Sequence, residues 1–79
     1  MKPIQYTQHA TDRMAERGVS EAEVESVMNA PAITLPGRLG RAHVMGYPRE
    51  TDRRGLHVIY NEDANQRWVV SVYWAGERE

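Results

Sequence analysis

The sequence predicts an α+β fold: an N-terminal helical hairpin packed on one face of a three- to four-stranded antiparallel sheet. Two observations carry the prediction. The first half combines helix-capping residues with apolar positions three and four apart, and the second half alternates apolar with polar residues. The gaps between the alternating segments are short and polar, which favours successive antiparallel strands. Length adds a bound, since 79 residues hold one small domain, read here as a single domain over 1–79 with no linker or repeat.

Thr7 is the N-cap expected for a first helix over residues 8–17, and Gly18 follows as a residue able to turn left-handed. The second helix has a stronger signature. Ser20-Glu21-Ala22-Glu23 is a capping box, flanked by Val19 and Val24 as the hydrophobic staple. Val24, Val27 and Met28 form its apolar stripe, and Ala30-Pro31 ends it, because the residue before proline avoids helical geometry. Gly18-Val19 joins the two helices tightly.

Beyond Pro31 the period changes to two. Ile33-Thr34-Leu35 reads as a short strand stopped by Pro36-Gly37, Arg41 to Tyr47 as a second, and Leu56 to Asn61 as a third. In the third strand Leu56, Val58 and Tyr60 share a face. Arg67 to Trp74 is the clearest strand, with Trp68, Val70, Val72 and Trp74 alternating against Arg67, Val69, Ser71 and Tyr73. Ile4-Gln5-Tyr6 is suited to a short edge strand.

Composition limits the chemistry. The chain has no cysteine, so neither a disulfide framework nor a thiolate zinc site is available. A domain this short buries only about 60% of its unfolded surface. Such a thin, unstapled core suits a cytoplasmic protein that relies on packing or self-association. No apolar run approaches the length of a membrane span, and the start lacks a signal-peptide core. The net charge of −1 predicts no whole-molecule attraction to nucleic acid. Charge is nonetheless segregated. Arg38, Arg41, Arg49, Arg53 and Arg54 outweigh Glu50 and Asp52 by three in residues 38–54, while Glu21, Glu23 and Glu25 make the second helix acidic.

The first helix carries the most informative constellation. With His9 at 0°, Arg13 lies at about 40°, Arg17 at about 80°, Ala10 at about 100° and Met14 at about 140°. The cationic row therefore borders the apolar face, and Asp12 and Glu16 point elsewhere. Two readings follow. The row is an anion site at the rim of the helix–sheet seam, or its long stems cover apolar surface with their heads in water. His43 and His57 alternate with apolar neighbours and so suit an exposed sheet face. The three histidines lack zinc-ligand spacing, and Gly37 and Gly40 lack the context of a phosphate loop. No metal or cofactor is expected. The 48–54 segment reads as a solvated turn or as a surface for RNA or an acidic partner.

The run Ile4-x-Tyr6-Thr7-x-His9-Ala10-x-x-Arg13-Met14-x-x-Arg17-Gly18-Val19-Ser20-x-x-x-Val24 resembles the opening of a small, largely bacterial family, domain of unknown function 4258. Arg41 to Gly46, Leu56-His57-Val58-Ile59 and Val69 to Tyr73 resemble its strands. The family is similar in plan to RelE/ParE-like toxins and to the barnase-, EndoU- and colicin-like ribonucleases. The resemblance implies a RelE-like two-layer plan and a metal-independent endoribonuclease. In that scheme His9, Arg13 and Arg17 are the catalytic row and His57 is a second proton carrier. Arg41, Tyr60 and Tyr73 contact RNA.

The expectation carried forward is a toxin-like, RNA-cleaving domain or a diverged inactive relative. The alternative is a non-enzymatic protein-binding module, such as a component of a bacterial toxin–antitoxin-like complex. Candidate partners are RNA, a cognate antitoxin- or immunity-like protein, and a second copy of the chain; no membrane is expected.

Overall fold

Thr7 and Ser20 start the two helices, each for a local reason. In the computed structural model, which describes residues 2–78, helix α1 spans Gln8–Arg17 and α2 spans Glu21–Asn29. The Thr7 hydroxyl accepts the Ala10 amide at 3.1 Å. Gly18 ends α1 with φ of 64°, a conformation that costs glycine little, and its amide bonds to the Met14 carbonyl. At α2 both halves of the capping box are made: Glu23 N–H donates to Ser20 Oγ at 3.2 Å, and Ser20 N–H donates to Glu23 Oε1 at 2.9 Å. Val19 and Val24, either side of the box, are both buried in the core.

Five strands follow the alternating segments: β1 (Ile4–Tyr6), β2 (Ile33–Leu35), β3 (Ala42–Gly46), β4 (Leu56–Glu62) and β5 (Arg67–Trp74). Their order in the sheet is β1-β5-β4-β3-β2. The segments β2 to β5 form an antiparallel meander, while β1 pairs parallel with β5. The expected three- to four-stranded antiparallel sheet is thus corrected to a five-stranded mixed one. The physical reason is that β1 is seated by a strand far along the chain. Arg67 N–H donates to the Pro3 carbonyl and Thr7 N–H to the Val69 carbonyl, each at 3.0 Å. Local periodicity carries no information about that pairing. The helices are also held differently from a self-packed hairpin: α1 contacts β5, and α2 contacts β3 and β4.

The register explains the core. Val44, Val58 and Val72 lie opposite one another across β3, β4 and β5 and are almost wholly buried. They meet Ala10 and Met14 of α1 and Val24, Val27 and Met28 of α2 in one cluster. A register shift between Ile59 and Tyr60 takes the β4–β5 pairing from Ile59↔Ser71 to Tyr60↔Val69 and leaves Val70 as the extra residue. Strict alternation in β5 would set Val69 beside Ser71 and Tyr73. The bulge instead turns Val69 into the core with Val72 and Trp74.

Tyr6 packs against this core, and its hydroxyl is buried with no hydrogen-bond partner among the described residues. Burial, reinforced by Glu21 and Glu25, pushes the phenol up to about 12 from 10.0. A raised folded-state pKa gives stability that is complete below pH 10 and is lost as pH rises towards 12. Tyr6→Phe is therefore expected to stabilise the domain by about 1 kcal/mol at pH 7, by removing an orphaned hydroxyl. It should also flatten the alkaline loss of stability. Urea unfolding of both proteins at pH 7 and pH 11 checks both effects, and a destabilised Phe variant would show that the hydroxyl is satisfied.

Candidate functional site

The face of the sheet turned away from the helices gathers three chemically active side chains. Because residues alternate along a strand, His43 of β3, and His57 and Ile59 of β4, point opposite to Val44 and Val58. On β5, Ser71 and Tyr73 lie beyond the bulge on the same open face. Direct register pairs His57 with Tyr73 and Met45 with His57, which makes His43 and His57 diagonal neighbours. Nε2 of His43 lies 2.9 Å from Nδ1 of His57, and the Tyr73 hydroxyl lies 3.3 Å from the same Nε2. The phenol ring stacks on the His57 imidazole, with centroids 4.5 Å apart and planes within 7°. When His57 is the donor, the His43 nitrogen accepts from both partners. When His43 is the donor, its proton is shared between an imidazole nitrogen and the phenol oxygen.

An open depression of about 710 Å³ lies beside this trio, lined by Arg38, Leu39, Arg41, His43, Ile59 and Tyr73. The β2–β3 connection builds its wall. Arg41 N–H donates to the Arg38 carbonyl at 3.0 Å, closing a turn in which Leu39 and Gly40 have φ of 56° and 75°. Left-handed geometry at a leucine costs about 1–2 kcal/mol. Yet Leu39 is 90% exposed, so no core contact offsets that cost. Gly37 is required for another reason: a Cβ there would lie 1.7 Å from the Arg41 carbonyl oxygen. Gly37→Ala should displace Arg41 and destabilise the domain by about 1–3 kcal/mol. Thermal unfolding reads the stability, and shifted Arg38–His43 amide resonances read the displacement; an unperturbed spectrum would contradict this close approach.

Most of the pocket lies in a stretch of sequence without acidic residues. Residues 26–49 contain no Asp or Glu, and neither Arg38 nor Arg41 has a carboxylate partner among the described residues. Burial, and then repulsion from His43, hold the His57 pKa below its usual 6.5. A depressed histidine adds stability that is complete above pH 6.5 and is lost as pH falls through the lowered value. The imidazole resonance of His57 is accordingly expected to titrate below 6.5, and His57→Gln to weaken the acid loss of stability. A midpoint at or above 6.5 would mean that a neighbour stabilises the cation.

The sequence-derived candidates divide between the two layers. His57, Arg41 and Tyr73 converge here. Tyr60 does not, because it packs against the core on the helix-covered face. On α1, His9 is exposed and makes no hydrogen bond among the described residues. The expected convergence of the helical row on one anion is not what the geometry shows, since each arginine is taken up separately. Arg13 pairs with Glu16 at 2.9 Å. Arg17 donates to the carbonyls of Val72 and Arg78, each at 2.6 Å, and lies 3.8 Å from Glu77. These bonds close the end of the helix against β5.

Two arginines of the basic loop are likewise taken up. Arg49 pairs with Glu23 and donates to the Gly18 carbonyl at 2.7 Å, and Arg54 pairs with Asp52 at 2.8 Å. The Arg49 hydrogen bond holds Glu23 below the usual carboxylate range, and that of Arg54 brings Asp52 down to about 2. The family described as domain of unknown function (DUF4258) matches residues 6–74, from β1 to the last residue of β5. The chain belongs to that family. No curated protein and no solved structure matches it. Within the family match lie both the α1 row and the His43–His57–Tyr73 trio.

Two residues were undervalued by sequence reasoning. His43 was read as simple strand alternation, and Arg38 as part of a diffuse charge count. Their signal was the long carboxylate-free stretch that holds both, but joining His43 to His57 requires the β3–β4 register. Among the described residues no group of three or more His, Asp or Glu is placed to hold a metal ion, and no helix is long and apolar enough to cross a membrane.

Proposed function

We propose that this domain is a toxin-like, metal-independent ribonuclease whose chemistry belongs to the open sheet face. The observation that supports this most is one pocket lined by His43, which is hydrogen-bonded to His57 behind it, and by two arginines that have no carboxylate partner among the described residues. In metal-independent cleavage the ribose 2′-oxygen forms a bond to phosphorus as the bond from phosphorus to the 5′-oxygen breaks. A base removes the 2′ proton and an acid supplies one to the departing oxygen, leaving a 2′,3′-cyclic phosphate and a 5′-hydroxyl. His43 faces the pocket and is assigned the proton transfer, since an imidazole serves as either base or acid near neutral pH. His57, behind it, holds the His43 ring and exchanges a proton with it. Arg41 and Arg38 complement the charge that gathers on the phosphorane, for which guanidinium geometry is suited.

The test is cleavage of RNA in the presence of a chelator by the wild type, His43→Ala and Arg13→Ala. Loss in the first variant with retention in the second is expected. The reverse pattern would return the site to α1, and no cleavage by wild type would end the proposal. A cytoplasmic location and an antitoxin-like partner belong to the same proposal.

A protein-binding role is the second reading, favoured by one observation. The edge strand β2 carries Ile33, 46% exposed, and is followed by the turn that carries the exposed Leu39. An edge of this kind can accept a partner's strand.

A further inference from the structure

We infer that the β2–β3 turn, Arg38–Leu39–Gly40–Arg41, is a finger that selects unpaired nucleotides. The choice of RNA as its ligand rests on the function proposed above. Three independent observations meet in these four residues. First, Leu39 is held in a left-handed conformation and is 90% exposed, so its side chain projects into solvent at the rim of the pocket. Second, the two guanidiniums that flank it have no carboxylate partner among the described residues, a state shared with Arg53 and Arg67, whereas Arg13, Arg17, Arg49 and Arg54 are each engaged by one. Third, the turn is built rather than loose: it is closed by the Arg41-to-Arg38 hydrogen bond and backed by Gly37, whose missing Cβ admits the Arg41 carbonyl.

An apolar tip between two cations suits a polyanion that alternates charge with flat apolar surface. Nucleic acid has that alternation, with phosphates on its backbone and bases between them. In a duplex the base faces are stacked inside, so only the phosphates are within reach. In a single strand a base face is available to pack on Leu39 while neighbouring phosphates meet Arg38 and Arg41. The adjoining depression is in the size range that holds one small ligand, about 300–1,000 Å³. The finger would thus place one unpaired nucleotide beside His43. Phosphate contacts alone would give affinity without this discrimination, which is why Leu39 is the selecting residue.

The experiment measures binding with a probe that cannot be cut. Fluorescein-labelled 2′-O-methyl oligonucleotides of one composition, one unstructured and one folded as a hairpin, are titrated by anisotropy at several salt concentrations. Wild type is expected to favour the unstructured probe by about tenfold. Leu39→Gly, which relieves the strained φ and so endangers no folding, should lose about fivefold on that probe and keep its salt dependence. Arg38→Gln should instead make the slope of log affinity against log salt shallower by about 0.7. Equal binding of the two probes, or a Leu39→Gly protein indistinguishable from wild type, overturns the inference. So does displacement of the probe by an equimolar Glu-rich peptide, which would assign the turn to a protein partner. Because the probe resists cleavage, its result is independent of catalysis. Selective binding by a protein that cannot cut ordinary RNA would retain the finger and remove the ribonuclease reading.

Discussion

Trp74→Ala is expected to cost about 3–5 kcal/mol of folding stability, the usual range for emptying a buried aromatic site. The total stability of a small domain lies towards the lower end of 5–15 kcal/mol, so little would remain. The residue is 1% exposed and joins three parts of the fold. Its ring lies in the core with Leu56 and Val72. Its indole N–H donates to the Arg17 carbonyl at 2.9 Å, satisfying an acceptor at the end of α1. The Arg49 and Arg54 guanidinium carbons lie 4.5 and 4.8 Å from the ring centroid, and Arg49 is also bound to Gly18 and Glu23. Urea unfolding followed by far-UV circular dichroism reads the loss. Trp74→Phe separates the contributions: it keeps an aromatic ring but leaves the Arg17 carbonyl without that donor, at a cost of about 1–3 kcal/mol. An alanine variant unfolding within 1 kcal/mol of wild type would mean that the loop closes over the gap.

The second large effect concerns turnover. His43→Ala is expected to lower the rate of RNA cleavage by about 10²–10⁴-fold, the usual share of a positioned acid or base. His57→Ala should also slow the reaction, for a different reason. The His57 ring touches His43 and Tyr73 and does not line the pocket, so in the proposed reaction its effect would pass through His43. Two consequences distinguish that role. The double variant should be no slower than His43→Ala alone, because residues acting as a unit are not additive. The pH–rate profile of His57→Ala should also move, since the remaining imidazole loses a neighbour with which it shares a proton. Additive losses with an unmoved profile would show that the two rings work separately. Rates are compared in chelator, after each variant's unfolding midpoint shows it to be folded at the assay temperature.

Much of the fold was legible because its determinants are local. Thr7, Gly18 and the Ser20–Glu23 box act within a few residues of themselves, and both helices lie where these signals put them. The strands from Ile33 to Trp74 lie where their alternation and their bounding prolines and glycines put them, although the faces of β5 exchange at Val70. What was hidden depends on partners distant in sequence. Nothing near Ile4 announces a parallel pairing with Arg67, and the Val70 bulge is visible only once β4 lies beside β5. The site shows the same division. The α1 row of His9, Arg13 and Arg17 stood out because helical spacing is easily computed. Its arginines are nevertheless occupied by Glu16, by Glu77 and by backbone carbonyls. The pair that does meet, His43 and His57, lies on different strands joined by a loop rich in charged residues. Tyr60 and Tyr73 looked equivalent as ring-bearing strand residues, but they point to opposite sides of the sheet.

The place of β5 in the sheet has a consequence for synthesis. It is translated after the other four strands but stands between β1 and β4 and supports α1. While it is still inside the ribosomal tunnel, β1 and α1 have emerged without the strand on which they pack. Acquisition of the native five-stranded sheet is therefore delayed until β5 has left the tunnel.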